Sequence, residues 1–210
     1  IFHVATEQND RAALESFSRD VLRVLPAARS MLYVLPSWEK GFEYIADQAG
    51  HRRMVVAIDE YPYLASANRS ISSVLQKAID TRLMNTNLFL ILCGSSMSFM
   101  ENQVLGYASP LYGRRTGQLK VEPFDYADSS LFFPRYTLEN RLTAYGAVGG
   151  IPQYLQYLSQ EDDLLAGLGR SYFRPTGHLF EEPSSLLKQE LREPATYNSI
   201  IAAIASGASR

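Results

Sequence analysis

The stretch Met54-Val-Val-Ala-Ile-Asp59-Glu60 constrains this chain more than any other. Four or five apolar residues in succession read as a strand covered on both faces, the pattern of a parallel sheet. Two carboxylates leave its carboxyl end together. Open α/β sheets place their ligands at that edge. A carboxylate there can hold Mg²⁺, usually through water. A second can orient or deprotonate an attacking water. The bland alternative is a strand-to-loop turn in which Asp59 caps local amides, since a hydrophobic run followed by Asp-Glu is common in α/β proteins.

The surrounding pattern alternates. Ile1–Thr6 is short, apolar and partly β-branched, and reads as a strand. A helix capped by Asp10 runs to about Leu25, where Pro26 stops it. Leu32–Leu35 is a candidate extended piece. Ser37 caps a helix over Trp38–Ala49, and Gly50 ends it. A helix over Ile71–Met84 leads to a second fully buried strand, Leu88–Gly94. A short helix at Ser98–Leu105 and a strand at Gln118–Val121, closed by Pro123, follow. Strands alternating with helices predict a parallel, doubly covered α/β sheet. After Phe124 the strands stop. Tyr126–Phe133, Leu138–Val148, Pro152–Leu158, Leu164–Tyr172 and Leu179–Leu191 all read as helices, so a helical subdomain is expected there.

Bulk properties close off several classes. A chain of 210 residues, 46% hydrophobic, suits one large domain or a domain with a small appendage. An ordinary charged fraction argues against disorder. The net charge of -2 leaves no basic footprint for non-specific nucleic-acid binding. No apolar run approaches the ~18–20 residues of a membrane span. The single cysteine, Cys93, allows no disulfide within the chain and fits a reducing cytoplasm. Cys93 lies in the second buried strand and reads as a small hydrophobe rather than a nucleophile. His3, His51 and His178 show no metal-ligand spacing. The chain opens directly into a strand-like segment with no signal-type sequence and ends in a helix-like YNSIIAAIASGASR. Both ends are therefore expected to lie inside a longer polypeptide.

Three further segments carry candidate residues. Leu88–Gly94 ends in Ser95-Ser96, which can reach a phosphate or a water at the sheet edge, or cap the following helix. The two roles are compatible. Tyr112-Gly-Arg114-Arg115-Thr-Gly117 offers two guanidinium groups, whose planar fork matches phosphate oxygens. Arg114 is the favoured one, against the alternative of a solvated surface turn. Gly149-Gly150-Ile151-Pro152 separates two helices. Its glycines permit positive φ or close backbone approach, and Pro152 can start the next helix.

Together these residues resemble the AAA-type ATPases first grouped from archaea. These are P-loop proteins of the ASCE division, often followed by a winged helix and a nuclease-like domain. The likeness runs over nearly the whole chain in ordered blocks: VVAIDEYPYL (55–64), LILCGSSMSFME (90–101), SPLYGRRTG (109–117), EPFDY (122–126), LFFPRYT (131–137) and AVGGIPQYL (147–155). The resemblance implies a partial P-loop NTPase parallel sheet over 1–123, its first strand and P-loop missing. It implies an all-helical lid subdomain over 124–192 and the start of a winged-helix domain over 193–210. It also implies strand order 5-1-4-3-2, with the absent strand 1 between the last strand and Leu88–Gly94. The apolar edge so left open is a pairing liability, expected to be filled by a partner, a second copy or rearranged sequence.

The site implied by the resemblance uses ATP and Mg²⁺. Asp59, in the Walker B position, would hold Mg²⁺ through water, and Glu60 would position the attacking water. Ser95 or Ser96 would sense the γ-phosphate. Arg114 or Arg115 would stabilise transition-state charge, and Gly150 and Pro152 would lie against the nucleotide. No G-x-x-x-x-G-K-[ST] occurs in the 210 residues. That loop supplies the amides and lysine that cradle phosphates. ATP hydrolysis is therefore expected of a parent protein and not of this chain alone. The rival expectation is a non-catalytic nucleotide switch acting through DNA or protein binding. DNA, through the winged helix, and a second copy are the candidate partners.

Overall fold

The computed structural model describes residues 1–25, 34–50, 52–191 and 193–208. They divide into two compact units, Ile1–Gln118 and Leu119–Arg210. The first is an α/β unit. Its strands β1 (Phe2–Val4), β2 (Met54–Asp59) and β3 (Leu88–Leu92) form a parallel sheet in the order β1-β2-β3. The register pairs Val4 with Asp59 and Ile58 with Leu92. Helices α1 (Asp10–Val24) and α2 (Trp38–Ala49) lie between β1 and β2 in sequence; α3 (Tyr61–Ala67) and α4 (Ile71–Thr81) lie between β2 and β3.

Local chemistry sets the helix ends. The cap of α1 is Asn9, one residue before the expected Asp10: its side chain accepts from the Ala12 amide at 3.0 Å. Asp10 is freed for another task. Its Oδ1 accepts from Trp38 Nε1 at 2.8 Å and from Asn68 Nδ2 at 2.9 Å, tying α1 to α2 and to the end of α3. Ser37 caps α2 as expected, and Gly50 ends it at φ 48°. Of the expected extended piece at Leu32–Leu35, residues 32 and 33 lie outside the described residues, and Val34 and Leu35 belong to no strand.

Phe17 and Val21 of α1, Trp38, Phe42 and Ile45 of α2, Val56 and Ile58 of β2, and Leu64, Ile71 and Leu75 form one buried cluster. The Phe17 ring sits 5.2 Å from Trp38 and 5.7 Å from Phe42. Each such side chain contributes about 1.5–3 kcal/mol by leaving water. This core occupies one face of the sheet. Phe2, Val4, Val55, Phe89 and Ile91 share the other face and are exposed, Phe2 to 58% and Phe89 to 52%. Among the described residues of this unit the sheet is thus covered on one side, not on two as its apolar runs predict, and β3 is half open rather than fully buried. Among those residues, the helices between Asp10 and Thr81 cover a single face, and the apolar residues of the other face stay exposed.

The strand expected at Gln118–Val121 does not form. Leu119 and Val121 are 87% and 85% exposed, and residues 117–125 have no regular structure. A strand exists by pairing. Among the described residues nothing pairs with this segment or with the outer edge of β3. The observed order β3-β2-β1 reproduces the 4-3-2 portion of the expected sheet.

The second unit is helical: α6 (Tyr126–Ser130), α7 (Leu138–Val148), α8 (Pro152–Ser159), α9 (Leu164–Phe173), α10 (Glu182–Glu190) and α11 (Pro194–Ala205), numbered after the short α5 (Met97–Phe99) of the first unit. It has its own core of Phe133, Tyr136, Ala144, Val148, Leu155, Leu158, Leu164 and Leu179. The buried Tyr136 hydroxyl donates within bonding range of the carbonyls of Leu158 (3.1 Å) and Glu161 (2.8 Å). Gly150 has to be glycine. A Cβ there would stand 1.8 Å from the Phe124 carbonyl oxygen, and the Phe124 amide donates to the Gly150 carbonyl at 2.9 Å. Among the described residues no helix is long and apolar enough to cross a membrane.

Candidate functional site

β2 ends at Asp59, and the parallel register carries Cys93 alongside it, one step beyond the Ile58–Leu92 pair. The Cys93 amide donates to the Ile58 carbonyl at 3.0 Å, and the Tyr61 amide donates to the Cys93 carbonyl at 2.9 Å. These bonds lock the two strand ends together. Asp59 Oδ1 accepts from the Glu60 amide at 2.9 Å and from Cys93 Sγ at 3.2 Å. Glu60 then takes a left-handed conformation, φ 52° and ψ 42°, the one positive φ at a non-glycine position among the described residues. Such a backbone costs about 1–2 kcal/mol. It turns the chain sharply from β2 into α3. The Glu60 carboxylate meets the end of β3, where Oε2 accepts from the Ser95 amide at 3.4 Å and from Ser95 Oγ at 3.2 Å. Gly94 lets the strand end pass close to α3, since a Cβ there would lie 2.6 Å from Pro62 Cδ.

Asp59, Glu60, Cys93 and Ser95 are therefore brought together at the carboxyl end of the sheet. Cys93 is the member that sequence reasoning misplaced. It is half-buried just past β3 and donates to a carboxylate, rather than filling the core as a small hydrophobe. Burial, the hydrogen bond to Asp59 and the charges of Asp59 and Glu60 push its thiol up to about 11. It is a neutral donor near neutral pH, not a nucleophile. No local sequence signal gives this contact; it follows from the register, which sets Asp59 beside Cys93 one step beyond the Ile58–Leu92 pair.

The remaining candidates lie elsewhere. Ser96 precedes α5, and its carbonyl accepts from the Met100 amide at 3.0 Å while its hydroxyl makes no capping bond. Arg114 is committed to Asp80 of α4 through Nε and Nη2, both at 2.8 Å, and its Nη1 reaches the carbonyls of Pro110 and Tyr112. The hydrogen bond and opposite charge hold Asp80 below and Arg114 above their usual values. Arg115 Nη1 donates to Gln118 Oε1. Neither arginine forms a hydrogen bond or ion pair with Asp59, Glu60 or Ser95 among the described residues. Gly150 and Pro152 belong to the helical unit, Gly150 against the Phe124 backbone and Pro152 at the start of α8. His3 is buried with Nδ1 2.8 Å from Asp20 Oδ2, and His178 stacks on Tyr157 at 4.2 Å. His51 lies outside the described residues. Among the described residues no group of three or more His, Cys, Asp or Glu side chains gathers as a metal site.

Residues 2–158 match the family of ATPase domains predominantly from Archaea. The chain belongs to that ATPase family. An uncharacterised protein of Methanocaldococcus jannaschii is 35% identical to this archaeal-type ATPase domain over 207 residues, 99% of this chain and 44% of that protein. A second uncharacterised protein of the same organism is 44% identical over 55 residues, 26% of this chain and 53% of its own length. The ATPase domain thus spans less than half the length of the first relative. A Walker-type ATPase of Pyrococcus abyssi is similar in structure, with a TM-score of 0.62 over 98% of this chain and 68% of that one, at 19% identity. At that identity the likeness is one of fold. The three-stranded parallel sheet followed by helices is accordingly a partial P-loop NTPase fold, and the chemistry that family membership implies is nucleotide-based.

Proposed function

We propose that this ATPase domain contributes the cation- and water-handling half of an ATP site, in a cytoplasmic protein whose helical segments respond to nucleotide state. The observation that carries this reading is the adjacency of Asp59 and Glu60 at the end of the central strand, with Ser95 of the neighbouring strand on the Glu60 carboxylate. Mg²⁺ needs only one or two protein carboxylates and keeps most of its water, so Asp59 suits it without a larger ligand cluster. The cation would supply charge neutralisation on the phosphates. Glu60 would orient the attacking water, and Ser95, with Ser96 behind it, would meet the γ-phosphate.

The other assignments are part of the same proposal. Arg114 would have to exchange Asp80 for phosphate to stabilise transferring charge; Arg115 has only Gln118 to give up. Residues 124–192 would act as the lid, with Gly150 and Pro152 at its nucleotide-facing turn. Residues 193–210 would begin a winged helix able to contact DNA, and a second copy is a candidate partner. The 210 residues contain no phosphate-binding glycine-lysine loop, so the chain alone would not turn over ATP.

The experiment is ATP turnover by the polypeptide that carries these residues together with a phosphate-binding loop, set against its Glu60→Gln variant. A positioned general base contributes about 10²- to 10⁴-fold, and a loss of that order is expected. Equal rates would remove Glu60 from the mechanism. A second reading, a nucleotide switch without hydrolysis, is favoured by the engagement of Glu60 with Ser95 and of Arg114 with Asp80. ATP binding without turnover, together with specific DNA affinity, would select it.

A further inference from the structure

We infer that Cys93 is a positioning residue for Asp59, its thiol holding one carboxylate oxygen so that the other is the one offered to a cation's water. The inference rests on the reading of Asp59 as the carboxylate that serves the cation. Cys93 is itself fixed in place. Its amide and carbonyl are bonded to Ile58 and Tyr61, and the next residue, Gly94, is pressed against Pro62. Cys93 and Asp59 stand side by side on one face of the sheet. Two acceptors lie within reach of Sγ, Asp59 Oδ1 at 3.2 Å and the Ile58 carbonyl at 3.7 Å. The nearer acceptor is also the charged one, and charge-assisted bonds are the stronger.

Asp59 Oδ1 thus receives two donors, the Glu60 amide and the Cys93 thiol, while no donor among the described residues reaches Oδ2. Rotation about the terminal torsion of an aspartate is broad and two-fold, so an unrestrained carboxylate exchanges its two oxygens freely. Here exchange breaks both bonds. The amide bond comes from the very next residue and moves with Asp59. The thiol comes from the adjacent strand and ties the carboxylate to the rest of the sheet. Serine at position 93 could serve the same purpose; alanine could not.

The chain has one cysteine, so its S–H stretching band in the infrared reports this group alone. In the folded 210-residue chain the band is expected at lower wavenumber than in the unfolded chain. It should return toward the unfolded position in Asp59→Ala and move part of the way in Asp59→Asn. A folded-state band at the unfolded position overturns the inference. The second arm uses the polypeptide with its phosphate-binding loop, with Mn²⁺ as the probe cation and ATP as the nucleotide. Cys93→Ala is expected to raise the Mn²⁺ concentration for half-maximal turnover about five-fold, the scale of one net hydrogen bond, with the KM for ATP at saturating Mn²⁺ unchanged. Cys93→Ser is expected to restore the wild-type requirement. If Cys93→Ser behaves like Cys93→Ala, or if Cys93→Ala has no effect while Asp59→Ala does, the inference falls alone. If Asp59→Ala leaves the Mn²⁺ requirement untouched, the cation-site reading falls and takes the inference with it.

Discussion

Glu60 sits where a side chain is least comfortable, on a left-handed backbone at the mouth of the sheet. Strain of this kind persists where surrounding structure over-determines it, and it clusters at functional positions. Glu60→Gly should relieve it. Chemical denaturation should show stability rising by up to about 1 kcal/mol, the left-handed cost less the extra freedom of an unfolded glycine. Glu60→Ala keeps the strain and should show no gain. A second residue-scale effect lies next door. Tyr61 is fully buried, and that burial outweighs its 2.8 Å hydrogen bond with Ser72, pushing its phenol up to about 12. Between pH 10 and about 12 the folded chain keeps this proton while the unfolded chain releases it. The stabilisation is therefore complete below pH 10 and is lost as pH rises through that window. Denaturation midpoints across the window should fall less steeply in Tyr61→Phe than in the wild type.

At the scale of elements, the two faces of the sheet make opposite demands. Phe17→Ala opens a cavity in the covered face and should cost about 3–5 kcal/mol in denaturant unfolding. Phe89→Ser acts on the open face and should move stability by no more than about 0.5 kcal/mol, while lowering the binding of a hydrophobic dye. The elements that could be read from sequence were those with strong local signals. β2 is a continuous apolar run, and α2 has Ser37 before it and Gly50 after it. α3 was missed because Tyr61–Ala67 is too short to show a helical period and carries a proline, which is in fact tolerated in a first turn. The Gln118–Val121 strand failed because propensity without a neighbour gives no ladder. At the site, Asp59, Glu60 and Ser95 could be placed from their positions at strand ends. The Cys93 contact needed the register between strands, and the Arg114–Asp80 pair needed the tertiary approach of α4, neither of which is written in any local window.

For the molecule as a whole, two separate cores are joined through residues 115–125, all of them exposed. Exposed unstructured segments are preferred sites of proteolysis. Brief trypsin treatment should cut after Arg115 or Lys120 before any site within a helix. It should release two fragments that mass spectrometry resolves at that boundary and that each retain helical circular dichroism. Cleavage inside α1 or α7 at a comparable rate would contradict the division. The outer edge of β3 has a further consequence, one of concentration. A second copy that laid its own β1 edge along it, head to tail, would satisfy one row of amides and carbonyls and present its own β3 edge beyond. Growth by that route does not terminate in a closed pair, so crowding this chain in solution favours open-ended fibres over a dimer of fixed size.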